Sequence, residues 1–496
     1  MKIRCSKYAV AFAALAASIS PSVLAETVDQ NDLMDRIEAL EKSNAELIQI
    51  IKELQNREDV LRIEHERSAD VAIERDNSDI RGLVGVAPAY GYKVLDHAED
   101  VTTKRLLQLE ARKNAELRQK LTVSGQISVL ANYQTSNRDD KFGYLMRNPT
   151  SANQIGDHVS EAVVHSASLA TTTEFTDSLT GYLELLYSPE QSFGSGTITS
   201  LERNQVQVRR AYLLYGNLDK SPYYAAIGKM DTPFGLNDTV NPFTNSTVWH
   251  SFSGLAYGAE FGYFKNGLSL RAMAIQGGAQ FRAANTPVEG TNVPSRLNNF
   301  ALDARYSTKL NNSGNLLVGA SYQHGSPYCQ EYPVFHFNPC PENNPAWSMF
   351  SKMEFGPLTL IGEYAQTTDV WPGSAVPDPT NPLSEFGAKK TKSFGLGGKF
   401  ALDLFREEFL DNSSVSFEFS SFIAGDDGSP WERQNQWVVG YSNYLIPNVN
   451  LFSEYIHVEG FAPLNFLSGG NFPDGSTWSD RDARTDVLLV GMQAAF

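Results

Sequence analysis

From residue 121 onward, charged residues fall at alternate positions of short apolar runs, and this spacing sets the chemistry open to the 496-residue chain. The candidates are Glu184, Arg210, Glu260, Arg271, Asp303, Arg305, Lys352, Glu363 and Lys399, with Gln126, Asn132, Glu354 and Glu418 in the same rows. Carboxylates, guanidiniums and ammoniums mixed along one face suit the binding or passage of a polar or zwitterionic solute, and give no strict anion or cation preference. Catalysis is poorly served. The chain has no Gly-x-Ser-x-Gly elbow, no His-Glu-x-x-His pair and no Gly-rich phosphate loop. His158 and His165 lie near Ser160, Ser166 and Ser168, a spacing that chance produces often. The sequence is therefore read as that of a non-enzyme with no cofactor and no resident metal.

The rows that position these charges have a period of two. Leu121, Val123, Ile127 and Val129 alternate with Thr122, Ser124, Gln126 and Ser128. Similar apolar rows are Tyr257/Ala259/Phe261, Phe300/Leu302/Ala304/Tyr306, Leu358/Leu360/Gly362/Tyr364 and Val415/Phe417/Phe419. A strand with one apolar and one polar face fits a wall between lipid and water. Arg or Lys on the lipid side at mid-bilayer would cost ~2–4 kcal/mol, so charges confined to the other row are expected.

The links between the runs alternate in length. Short links fall at Asp177-Ser178, Gly216 to Pro222, Lys265 to Gly267, Asn311 to Gly314, Phe355 to Pro357 and Ile446 to Asn448. Long ones span 136–158, 231–256, 277–296, 324–345, 368–388 and 460–480. A closed antiparallel barrel with short periplasmic turns and long outer loops has this rhythm, and a β-sandwich has no reason for it. The count comes to about sixteen strands, with the phase around Val206 to Tyr215 open. The last strand puts Val490, Met492, Ala494 and Phe496 on one face, an aromatic-ended strand of the kind the barrel-assembly machinery reads.

The link after the fifth strand, 231–256, is long enough to fold inward and narrow a pore. Its candidates for that constriction are Asp231, Phe234, Asn237, Asp238, Trp249 and His250. Cys329 and Cys340 share a later link. In an oxidising compartment the expected outcome is a disulfide worth ~3 kcal/mol. A zinc site with His324 and His336 is the weaker alternative, since zinc favours tighter Cys–Cys spacing.

The N-terminal part has a different grammar. Lys2, Arg4 and Lys7 precede an apolar stretch from Tyr8 to Ala17 and small residues at Val23-Leu24-Ala25, so residues 1–25 are expected to be a signal peptide. Cleavage would remove three positive charges and take the formal charge from −16 to −19. The acidic balance argues against a nucleic-acid partner. In residues 26–81, Leu33, Leu40, Leu47, Leu54 and Leu61 recur every seven residues, with Ile37, Asn44 and Ile51 between them. Ile at a and Leu at d predict a periplasmic coiled coil, with Asn44 fixing register and a homo-oligomer as the expected product. Residues 82–98 are expected to be a linker. Residues 99–120 are expected to form a second helix, which could instead fold back on the first.

Arg209-Arg210-Ala211-Tyr212-Leu213 and Gly228-Lys229-Met230-Asp231-Thr232-Pro233-Phe234-Gly235 resemble a strand pair of the porin superfamily. The whole layout, from signal peptide and leucine-heptad coil to second helix and barrel, resembles the LbtU-type siderophore porins. That resemblance implies an outer-membrane route for ferric siderophore, without the N-terminal plug domain and TonB box of energised transporters. The expectation is thus an all-β transmembrane barrel over 121–496, preceded by a coiled-coil region and seated in outer-membrane lipid. It would pass a small polar solute or a ferric siderophore. The competing expectation is a structural or adhesive outer-membrane protein whose coil tethers or oligomerises it.

Overall fold

The computed structural model describes residues 83–139, 141–144, 156–188, 192–194, 197–200, 205–276, 297–310, 314–329, 343–371, 387, 389–403, 412–461 and 479–496. The signal peptide and the heptad residues Leu33 to Leu61 lie outside them. A short strand β1 (Val84–Val86) comes first, then helix α1 (Pro88–Leu95), a 3-10 turn (Val101–Thr103) and helix α2 (Lys104–Lys113). The barrel opens with β2 (Leu121–Ser136), β3 (His158–Thr176) and β4 (Leu179–Ser188). The next link carries a small hairpin of β5 (Ser192–Gly194) and β6 (Thr197–Ser200). Then come β7 (Gln205–Gly216), β8 (Tyr223–Asp231), helix α3 (Thr247–Phe252), β9 (Leu255–Lys265), β10 (Leu268–Ile275), β11 (Asn299–Leu310) and β12 (Gly314–Gln323). The wall finishes with β13 (Ala346–Phe355), β14 (Leu358–Val370), β15 (Lys390–Ala401), β16 (Ser413–Ile423), β17 (Arg433–Ile446), β18 (Val449–Phe461) and β19 (Asp480–Ala495).

Sixteen of these strands, β2 to β4 and β7 to β19, pair in sequence order, each antiparallel to the next. β19 closes the ring on β2, with Val490 opposite Ala131 and Ala494 opposite Ile127. Closure removes the sheet edges that an open sheet of this size would expose. The expected strand count and the alternation of short and long links are both present. The apolar rows face outward: Phe261, Leu396 and Leu488 are 55%, 60% and 58% exposed, whereas the charged rows are buried against the contents of the lumen.

Two β-bulges break the alternation of inward and outward residues. Glu184 pairs with Arg210 but Leu185 pairs with Val208, so Arg209 is an extra residue and both arginines point inward. That is why 206–215 can be phased either way. A second bulge, between Ser128 and Val129 on the partner strand, swings His165 inward beside Ser166. Bulges re-aim side chains in this way at the cost of local ladder bonds.

The expected linker and second helix are corrected. Residues 82–98 carry β1, which pairs in parallel with the start of β2, and α1, begun by Pro88 at its first turn. The later helix covers 104–113 rather than 99–120, because its chain turns at Asn114 and Ala115 and enters β2 at Leu121. Neither helix is free of the barrel. Both lie inside it, held against the inner wall.

Among the short turns, Asn266-Gly267 joins β9 to β10 with positive φ at both residues, 52° and 79°. This is the mirror-image turn whose twist matches the strands it connects. A Cβ at Gly267 would stand 2.0 Å from the Ser307 carbonyl oxygen. Gly267→Val should therefore lower barrel stability by ~1–2 kcal/mol or more, read as a lower urea midpoint of the folded band on unheated gels. An unchanged midpoint would show that the turn does not hold the register.

Candidate functional site

The lumen is narrowed by residues 232–254, which leave the end of β8 and fold inward. Three wall carboxylates fasten them by accepting backbone N–H groups. Glu363 takes Leu236 N and Asn237 N, each at 2.8 Å, Glu418 takes Val240 N at 3.3 Å, and Glu454 takes Phe243 N and Thr244 N at 2.8 and 3.0 Å. Hydroxyls on the wall add to this, with Gly235 N donating to Ser321 Oγ and Thr247 N to Ser420 Oγ, each at 3.0 Å. Gly235 sits at φ 68° with Glu363 Oε1 2.3 Å from where a Cβ would stand, so the approach requires glycine.

The inward placement expected for 231–256 is thus observed. Asp231 closes bidentately on Arg210, at 2.6 and 2.9 Å. Phe234 packs on Phe252, and Asn237 Nδ2 donates to Phe234 O at 2.6 Å. Trp249, on α3, is buried with Val101, and His250 stands edge-on to it at 4.9 Å. Asp238 pairs with Lys352 at 3.3 Å. Burial pushes the Asp238 carboxyl up to about 7, with Lys352 pulling the other way.

The chain's own residues 87–113 also lie within the lumen. They form a hairpin that enters at the short-turn end, where β1 meets β2, and returns there. Its first arm, α1, is seated by Tyr90 Oη to Thr172 Oγ1 at 2.8 Å and by Tyr92 against Tyr444. At its tip, His97 Nε2 meets Phe243 O at 3.1 Å and its ring lies by His165. Asp100 N donates to Asp238 Oδ1 at 2.8 Å, so the tip touches the inward loop. The second arm, α2, runs back along β3, β4 and β7 until Arg112 binds Thr180 Oγ1 at 2.6 Å and Asp177 O at 2.7 Å. Ten helical residues span ~15 Å, enough to reach from one mouth of a wall sized for a ~30 Å hydrocarbon layer to its middle.

Charges join tip to wall. Arg105 donates to Glu260 through Nε at 3.2 Å and Nη2 at 2.6 Å, and its Nη1 stands 4.0 Å from Asp231. Arg271 donates to the Thr102 carbonyl, and Arg305 Nη2 donates to Thr102 Oγ1 at 2.7 Å and to Gly235 O at 2.6 Å. Arg271 and Arg305 share Asp303, at 2.8 and 3.0 Å. Arg210 bridges Glu184 and Asp231, with Arg209 on Glu184 at 3.6 Å. Lys104, wholly buried, donates to Lys93 O at 2.5 Å and Glu99 O at 3.0 Å, which ties the end of α1 to α2. Burial raises Asp96 beside it to about 6, Lys104 opposing. Lys399 reaches Glu99 at 3.2 Å.

All nine expected lumen charges therefore face inward, and seven of them gather around the hairpin tip and the loop end it touches. Lys399 binds the hairpin from the far wall, and Glu363 holds the loop. Thr102, Arg105, Asp100 and Glu454 were missed. Pro88 opening a helix and the Lys104-to-Lys113 stretch were the available signals for the first three, and the inward row of β18 for Glu454. His158 pairs with Asp157 at the rim, whereas His165 packs on Phe243 with its Nδ1 3.2 Å from Ser166 Oγ, so the two histidines of that spacing stand at separate places. Cys329 is buried, while Cys340 lies outside the described residues.

Family models and curated protein sequences give no match to the chain. Among solved structures it is similar to the outer membrane channel DcaP of Acinetobacter baumannii, at 15% identity and TM-score 0.45, covering 76% of this chain and 97% of that one. It is also similar to the anion-selective porin of Comamonas acidovorans (12%, TM-score 0.47, 76% and 99%) and to OprB of Pseudomonas putida (10%, TM-score 0.44, 75% and 94%). At these values the likeness says nothing about cargo.

The Arg105–Glu260 pair is buried, so removing one partner strands the other. Arg105→Ala should weaken seating of the hairpin by ~3–5 kcal/mol, read as protease cleavage within 87–113 at least ~100-fold faster while the barrel stays intact. Arg105→Met with Glu260→Gln should restore most of the protection. Equal cleavage of wild type and Arg105→Ala would refute the pair's role.

Proposed function

We propose that the protein is an outer-membrane, porin-like channel for small polar solutes, held shut by its own residues 87–113. One observation carries this reading: a closed sixteen-strand wall, apolar outside, encloses a charged lumen narrowed by an inward loop. A wall of that kind is stable only where lipid meets its outer face. In this reading the short turns and the hairpin's entrance face the periplasm. An unplugged passage is no longer part of it, because α1 and α2 fill the barrel from that side. Ferric siderophore, the cargo that the sequence resemblance implies, remains a proposal. So do export by residues 1–25, oligomerisation through 26–81, the Cys329–Cys340 bond and delivery by the barrel-assembly machinery.

The filled lumen also favours a second reading, a sealed barrel that anchors its N-terminal region at the membrane. Planar-bilayer recording separates the two. Full-length protein should give rare, brief steps, and a variant lacking residues 88–113 should give long-lived open ones. No steps from either, with the barrel folded, would overturn the channel and leave the anchor. For the cargo, deletion of the gene should slow ferric-siderophore uptake under iron limitation; unchanged uptake would remove that solute.

A further inference from the structure

The hairpin tip does more than fill space. Its polar groups meet two wall features of opposite charge that have few other partners. Glu260 forms one pole: among the described residues its ion pair is with Arg105, whose Nε and Nη2 address its two oxygens at 3.2 and 2.6 Å. A planar fork on a carboxylate is the geometry a guanidinium makes and an ammonium cannot. Arg271 and Arg305 form the other pole. They share the single carboxylate of Asp303, and complete their bonding on the Thr102 carbonyl, the Thr102 hydroxyl and Gly235 O. The two poles are close, since the Thr102 carbonyl accepts both from Arg271 and, at 3.3 Å, from Arg105 Nη2.

The site also lies where a solute would have to cross. Asp100 and Thr102 touch the loop at Asp238 and Gly235, and Arg105 touches β8 and β9. Residues 100–105 thus stand in the gap between the loop and the charged wall. Withdrawal of the hairpin would leave one carboxylate without its counter-charge beside two guanidiniums sharing one. Both poles would then be open at the level of the inward loop.

We infer that Thr102–Arg105 is a tethered stand-in for the cargo, and that the vacated constriction takes a small zwitterion carrying a guanidinium a short chain away from a carboxylate. The guanidinium would replace that of Arg105 on Glu260, and the carboxylate would replace the Thr102 oxygens on Arg271 and Arg305. Backbone tethering leaves Arg105 Nη1 4.0 Å from Asp231 and without a hydrogen bond, a gap that a free ligand could close. A carboxylate should also satisfy two guanidiniums better than a neutral carbonyl and hydroxyl. This inference rests on the channel reading. It makes the hairpin a competitor of its own solute, so that solute at the mouth promotes opening.

The test compares arginine with citrulline, which has the same shape without the charged fork. In liposomes holding the variant that lacks residues 88–113, arginine should be taken up at least tenfold faster than citrulline at low concentration. Adding Glu260→Gln to that variant should collapse the ratio towards one. In the intact full-length protein, excess arginine should speed proteolysis of 87–113, and citrulline should not. Equal passage of both solutes, with no effect of arginine on proteolysis, would overturn the inference and leave the channel standing. No passage of either through a folded variant would instead defeat the channel reading itself.

Discussion

Inside this barrel, every charge removed from water has to find an opposite charge or a backbone dipole, and the rest of the structure follows from that requirement. An ion moved into a low-dielectric interior without a partner costs several kcal/mol even after relaxation. The wall supplies Glu184, Asp231, Glu260 and Asp303 on one arc, interleaved with Arg209, Arg210, Arg271 and Arg305. Those charges balance in number but not pair by pair, and the fork of Arg105 and the oxygens of Thr102 complete them. On the opposite arc Glu363, Glu418 and Glu454 form no ion pair with an arginine among the described residues. They are met by N–H groups of the inward loop. Loop and hairpin thus answer the same constraint on two sides of one lumen.

This requirement explains how a segment so polar can be buried. Lys104 and Arg105 are 0–1% exposed, yet both are met by carbonyl or carboxylate oxygens. A helix inside a soluble domain shows an apolar stripe, whereas one inside a polar barrel shows charges toward the wall. The apolar part of α2, around Leu109, joins a buried apolar cluster with Leu95, Leu214, Tyr90, Tyr182, Tyr212 and Tyr224.

The legibility of the sequence divides along the same line. Strand period, link rhythm and closure were readable because lipid imposes one apolar row on every strand, from Leu121 to Phe496. The nine lumen charges followed from the opposite row, and the inward loop from the length and polar and aromatic content of 231–256. Where a bulge inserts Arg209 the period breaks and the phase of 206–215 stays open, as it must when two successive residues face one way. The hairpin was not readable as a plug. Its Lys-Arg-rich helix has the composition of a solvated surface, and only its neighbours, fixed by long-range closure, reveal that it is enclosed. Cargo was legible only as charge of both signs.

Seating of residues 87–113 within the barrel is the central claim, and hydrogen exchange read by mass spectrometry on intact full-length protein tests it most directly. With the hairpin docked, the amides of Asp100 and of residues 105–113 should exchange about as slowly as those of β9 to β11. Exchange of these amides at free-peptide rates, in a barrel whose strands remain protected, would contradict it.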